Sequence, residues 1–235
     1  MKEIENYINK NFLKLFLVFL VLLNILPILA PIFLYVGFNS PAKAIYFLYS
    51  FFCHQQHWKS LHIFDHQCAW CARDMFIWGS MLLVLILVMR RKISPLSFFS
   101  LILYSAPMAL DGGLQTVSTI SGYSGGNPLY ISNNFFRMIT GTLFGSAFGL
   151  YTFPRIKHII EDEVKTAKKI KKSKIFVITH KKLVASILIF MTLIYMLLMQ
   201  IWSITSYKYL PSDYLDSEIK LPPDKNEWFV RRKNT

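Results

Sequence analysis

Apolar runs too long for a water-soluble fold constrain this chain more than any other feature. Residues 13–38, 76–89 and 183–205 are nearly unbroken blocks dominated by Leu, Ile, Val, Phe and Met. A hydrocarbon core of about 30 Å asks for roughly 20 apolar residues per helix. Backbone polar groups in lipid must be satisfied within the segment, which makes the helix the fitting element. The chain is 54% hydrophobic and 17% charged, against roughly 45–50% and 25% in a soluble domain. The expected fold class is therefore all-α: a polytopic membrane helix bundle of about five transmembrane helices plus a short interfacial or re-entrant helix.

The expected membrane bundle occupies 1–153, with transmembrane helices near 12–36, 74–89, 95–110 and 134–153 and extracytoplasmic loops at 39–73 and 112–133. A basic cytoplasmic segment at 154–182 leads to a fifth transmembrane helix at 183–206 and a polar tail at 207–235. The apolar stretch at 41–53 is too short to span. The first block exceeds the roughly 7–15 apolar residues of a signal h-region, so it is read as a retained anchor. Asp111-Gly112-Gly113 is expected to end the third spanning helix.

The net charge of +13 is read as topology rather than as a nucleic-acid surface. No aromatic-basic platform accompanies it, and no nucleic-acid partner is expected. Arg90-Arg91-Lys92, the basic segment and Lys2, Lys10 and Lys14 fall on one side of the predicted membrane. The opposite loops hold only Lys43, Lys59 and Arg73. The positive-inside rule then predicts a multi-pass protein of the cell membrane with a cytoplasmic N-terminus. The C-terminal tail is then expected outside, with its six Lys and Arg weighing mildly against that side. Membrane lipids are the expected partners, with partner membrane proteins or a homo-oligomer as further candidates.

This topology brings two distant segments to one face. The first holds all three cysteines, Cys53, Cys68 and Cys71, and His54, His57, His62 and His66. Cys68-x-x-Cys71 is a spacing used by zinc sites and by redox pairs, and thiolate with imidazole suits zinc. The candidate metal set is Cys53, His54, Cys68 and Cys71. An extracytoplasmic loop equally favours a disulfide, and free or reactive thiols stay open as a third reading. The second segment holds Asp111, Gln115, Asn134 and Arg137. Arg137 lies inside an apolar block, where an ionisable group is costly and points to function by default. Gly141, Gly145 and Gly149 repeat at four-residue spacing on its face, a stripe that allows close helix packing. The stripe turns Arg137 toward the bundle and calls for an anion: Asp111, Asp74 or a ligand. Such an arginine equally suits a structural bridge.

Several of these pieces together resemble a known family: Cys53-His54-Gln55, Lys59-Ser60, Cys71-Ala72-Arg73-Asp74 with Gly79, Pro107-Met108-Ala109-Leu110-Asp111-Gly112 with Gln115, and Ser132, Asn134, Arg137 and Thr140-Gly141. The ordered set is similar to the small membrane-protein family called domain of unknown function 2085, over roughly residues 45–150. The resemblance implies that these residues act together and supplies no activity. Lys59 departs from it, standing where the family tends to carry Arg.

Two functions follow as expectations. One is a polar site facing the extracytoplasmic side that binds or acts on an anionic lipid or small anionic ligand. Its candidate catalytic groups are His54, Asp111 and Arg137, and its candidate ligand contacts are Gln55, Lys59, Ser60, Arg73, Asp74, Gln115, Asn134 and Thr140. The other is a non-catalytic subunit or scaffold of a membrane complex, its Cys/His loop a disulfide or metal staple.

Overall fold

The computed structural model describes residues 2–53, 55–123, 130, 132–168 and 180–206. The chain forms α1 (Lys2–Val36), α2 (Asn39–Ser50), a 3-10 turn at His57–Lys59, β1 (Ser60–Ile63), β2 (His66–Cys71), α3 (Ala72–Arg90), α4 (Phe98–Tyr123), α5 (Asn134–Lys168) and α6 (His180–Thr205). It is a helical membrane bundle with a small hairpin added. Among the described residues, three segments are long and apolar enough to cross a membrane: Asn11–Val36, Ala72–Arg90 and His180–Thr205. α4 and α5 are as long but are interrupted by buried polar residues, among them Asp111, Gln115, Asn134 and Arg137.

α3 is the central element, and α5 lies against it along the glycine stripe. A Cβ placed on Gly141 would come within 2.6 Å of the Arg73 carbonyl oxygen. One on Gly145 would overlap the Ile77 carbonyl and Ser80 Oγ, and one on Gly149 would press Val84 Cγ1 at 3.0 Å. Only glycine lets the two backbones approach this closely. Val84, Leu85, Val88, Met138, Ala147 and Leu150 form the fully buried core of that contact.

Two helix ends lie beyond the positions expected from the sequence. α4 does not stop at Asp111 but runs through Gly112-Gly113 to Tyr123. The continued helix keeps Asp111 and Gln115, four residues apart, on one buried face. α5 continues past Phe153 to Lys168, across the start of what was expected as a separate basic segment. Pro154 has no N–H for the Leu150 carbonyl, which would end or kink an isolated helix. Here Leu96 N–H donates to Leu150 O at 3.0 Å and replaces the missing bond. α1 uses the same device at Pro27, where Tyr49 Oη of α2 donates to Leu23 O at 2.9 Å.

The bundle has two unlike poles. At one, Lys157 Nζ donates to Val88 O at 2.6 Å and Arg91 O at 3.2 Å, and Arg155 Nη2 to Leu96 O at 2.9 Å. These cations cap the end of α3 and the turn beyond it, as expected near a helix C-terminus. At the other pole sits the hairpin, which has no counterpart in the expected all-helical layout. β1 and β2 pair antiparallel, His62 opposite Gln67 and Ile63 opposite His66. Its two-residue turn holds Phe64 at φ 52° and Asp65 at φ 61°, the left-handed conformation that hairpin turns need. Phe64 stacks on Tyr35 at 4.1 Å. The turn's N–H groups donate to Thr205 Oγ1 at 3.2 Å and Ser206 Oγ at 3.0 Å. The ends of α1 and α6 thus clamp the hairpin over the start of α3.

Candidate functional site

Beneath the hairpin, the first turns of α3 and α5 and the middle of α4 converge. Arg73 is the second residue of α3, and its guanidinium pairs with Asp111 of α4. Gly112 makes room for it, since a Cβ there would meet Arg73 Nη1 at 3.0 Å. Asp111 also accepts from Tyr130 Oη at 2.6 Å and Ser132 Oγ at 3.0 Å. Three donors on one carboxylate, one of them a guanidinium, occupy most of its acceptor positions. The arrangement suits an anchor for the 130–133 segment better than an acid or base.

Arg137 is 1% exposed. Its Nη1 donates to Asn134 Oδ1 at 2.7 Å and to the Trp58 carbonyl at 3.2 Å. The Gln115 carboxamide can face two ways. One way, its oxygen accepts from Arg137 Nη2 at 3.2 Å and Lys59 Nζ at 3.0 Å; the other way, it accepts from Arg73 Nη2 at 3.4 Å. Two charge-assisted bonds outweigh one long one, so the first orientation holds. The expected ion pair of Arg137 with Asp111 or Asp74 is not formed: Arg73 takes Asp111. Among the described residues no carboxylate lies within 4.0 Å of Arg137 or Lys59. Burial lowers the Lys59 ammonium to about 8, with Arg137 next and Arg73 also pushing it down and Cys71 and Cys53 pulling it back.

A second group lies beside this one. Cys53, Cys71 and Asp74 bring three metal-ligating atoms within 4.8 Å of one another. Cys71 ends β2 and caps α3: its sulfur accepts from Asp74 N–H at 3.5 Å and its thiol faces Asp74 Oδ2 at 3.1 Å. The Cys53 sulfur accepts from Gln55 N–H at 3.4 Å. A hydrogen bond from Cys71 holds the Cys53 thiol below its ordinary range, and the same bond and burial push Cys71 well above it.

The cysteines are free thiols, so the disulfide alternative is not realised in this structure. Cys68 does not join the other two. It is 1% exposed in the apolar core, and burial pushes its thiol up to about 12, which makes it a packing residue. Three expected ligand contacts have structural partners. Gln55 Nε2 donates to Tyr46 O at 2.8 Å, Ser60 Oγ to Gln56 O at 3.1 Å, and Thr140 Oγ1 to Phe136 O of its own helix at 2.8 Å. His54 lies outside the described residues. Burial, with His57 second, holds His62 well below the imidazole range, with its Nε2 3.1 Å from His57 Nε2. Sequence reasoning missed Tyr130, gave Ser132 no role, and did not anticipate the Trp58 carbonyl. A hydroxyl pair two residues apart, just ahead of an arginine-bearing helix, was the available signal.

A helical bundle with apolar flanks and one polar pole is the architecture of an integral membrane protein. The chain belongs to the family described as predicted membrane protein, domain of unknown function 2085, which matches residues 53–151. It is also similar to an uncharacterized protein of Methanocaldococcus jannaschii, 32% identical over an aligned length of 135 residues, with 54% of this chain and 80% of that protein covered. No solved structure matches the chain. The matched segment begins at Cys53 and holds both polar groups, while α1 and α6 lie outside it.

Proposed function

We propose that the hairpin pole binds an anionic group, a phosphate or carboxylate of a lipid headgroup or small solute, on the side away from the cytoplasm. One observation carries this reading. Lys59 and Arg137 converge on the single Gln115 oxygen with no carboxylate in ion-pair range among the described residues, and the buried Arg137 Nε has no hydrogen-bond partner there. Two gathered cations and an unmet guanidinium edge are costly unless an anion completes them. Asn134 fixes the Arg137 fork, and Asp111 fixes Arg73 beside it.

The sidedness follows from charge. Arg90, Arg91, Lys92, Arg155, Lys157, Lys181 and Lys182 gather at the opposite pole, which the positive-inside rule assigns to the cytoplasm. α1 then starts inside, and α4 and α5 cross alongside α3, making five spans. An open groove of about 330 Å³ between α3 and α6, lined by Leu83, Leu87, Arg91 and Lys182 among others, lies at the basic pole and shares no residue with the site.

The test is binding by the full chain in detergent micelles, with phosphatidylglycerol, phosphatidylcholine and inorganic phosphate as separate probes. Phosphatidylglycerol without phosphate would identify a lipid headgroup; both would identify the phosphate group alone. Arg137→Gln and Lys59→Gln should each weaken binding at least tenfold, and Arg137→Lys should restore only part, because an ammonium cannot reproduce a fork. Equal binding by parent and variants for every probe would refute the reading. A scaffold role is favoured by one observation, the saturation of Asp111 by protein donors. It predicts that these variants lose folding rather than binding.

A further inference from the structure

We propose that Cys53, Cys71 and Asp74 form a site for one thiophilic divalent cation, zinc by its donor set. The proposal is independent of the anion reading, because it rests on different side chains.

Geometry comes first. The two sulfurs and a carboxylate oxygen lie within 4.8 Å of one another, and Cys71 Sγ is 3.1 Å from Asp74 Oδ2. Tetrahedral zinc with bonds of about 2.3 Å to sulfur and about 2.0 Å to oxygen separates its ligands by roughly 3.5–3.8 Å. Seating an ion therefore asks for side-chain adjustments of about an ångström or less. Cys71 and Asp74 are three residues apart across the start of α3, so the helix fixes their spacing. Cys53 reaches them from the segment after α2, so the ion would join the two ends of the loop that carries the hairpin.

The surroundings agree. Each sulfur accepts a backbone N–H, Cys53 from Gln55 and Cys71 from Asp74, which is the outer-sphere support a thiolate ligand receives. Cys53 packs with Ala30, Ala42, Tyr46, Tyr49 and Trp70, which shield it from water on one side. Two thiolates and a carboxylate exceed the charge of a divalent ion by one. Among the described residues three protein ligands are in place, and a tetrahedral zinc site takes one more, from the protein in a structural site or from water or substrate in a catalytic one. Asp74 thus takes the place expected of Cys68.

The experiment uses the full chain, purified under reducing conditions without chelator. Zinc is measured per chain by elemental analysis, and cobalt(II) replaces it as a spectroscopic probe. The parent and Cys68→Ser should carry about one zinc per chain and show the thiolate-to-cobalt charge-transfer band. Cys53→Ser and Cys71→Ser should lose at least tenfold in zinc affinity and lose intensity in that band. Asp74→Asn should keep the band with weaker affinity. Size-exclusion profiles check that each variant folds. If a cysteine variant does not, alkylation of the parent decides: bound zinc should protect Cys53 and Cys71 from the reagent. Full zinc content in Cys53→Ser, loss of zinc in Cys68→Ser, or equal alkylation with and without zinc would each overturn the proposal. So would a Cys53–Cys71 disulfide in the isolated protein that, once reduced, takes up no metal.

Discussion

Replacing Gly145 by alanine tests the closest contact in the bundle. A Cβ there overlaps the Ile77 carbonyl oxygen and Ser80 Oγ and lies 2.9 Å from the Ile77 carbonyl carbon. The obstacle is backbone, which cannot rotate away, so α3 and α5 must separate. Overpacking of this kind costs typically about 1–3 kcal/mol, and the backbone contact places it at the upper end. The intrinsic preference of a helix for alanine over glycine returns about 1 kcal/mol. The net loss is about 2 kcal/mol, or a fall in melting temperature of about 4–8 °C for a chain of this size. Thermal unfolding in mild detergent, followed by tryptophan fluorescence, measures it. Two controls bracket the reading. Gly113→Ala, with nothing within 4 Å of the new carbon, should melt with the parent or slightly above. Gly149→Ala meets the movable Val84 side chain at 3.0 Å and should fall between the two. A Gly145→Ala protein that melts with Gly113→Ala would refute the close-contact argument.

Asp111→Asn removes the charge that holds Arg73 and should destabilise by about 3–5 kcal/mol, the usual cost of stranding one member of a buried pair; denaturant titration would show it, and an unchanged midpoint would contradict the pairing. Anion binding should weaken as pH rises through about 8, where the folded chain's Lys59 loses its proton. The groups facing that ammonium are Arg137 of α5, Arg73 of α3, Gln115 of α4, and Cys53 and Cys71. The stability linkage has the opposite sign. Lys59 is lowered from its unfolded value, so its buried charge disfavours folding fully below about 8 and is relieved as pH climbs toward the unfolded value. Lys59→Arg should move the loss of binding to higher pH; a pH profile identical in parent and Lys59→Arg would remove Lys59 from the site.

The long apolar runs made α1, α3 and α6 legible, because lipid imposes a length on them. The Gly141, Gly145 and Gly149 stripe correctly turned Arg137 inward. The ends of α4 and α5 were not legible, because what carries α5 past Pro154 is a donor from Leu96 to the Leu150 carbonyl, 54 residues further along the chain. The hairpin was hidden for two reasons. All four residues of β1 are buried, so the strand shows no alternation, and its Phe64-Asp65 turn lacks the glycine or asparagine that normally marks one. An arginine partner for Asp111 was foreseen, but as Arg137 rather than Arg73. Charge and hydropathy set the depth of a side chain, whereas its direction around the helix depends on packing, here on the space above Gly112.

The clamp on the hairpin turn bears on how the protein is made. Thr205 and Ser206 lie 141 residues after the groups they hold, at the end of the last described helix to leave the ribosome. During insertion, α2 can dock on α1 through Tyr49 as soon as both exist, and Arg73 can find Asp111 once α4 has emerged. The N–H groups of Phe64 and Asp65 must wait until nearly all of the described chain has been synthesised. Closure of the polar pole is therefore a late event in biogenesis, and a chain stopped before α6 would retain Cys53, Arg73, Asp111 and Arg137 while lacking the lock that seats the hairpin above them.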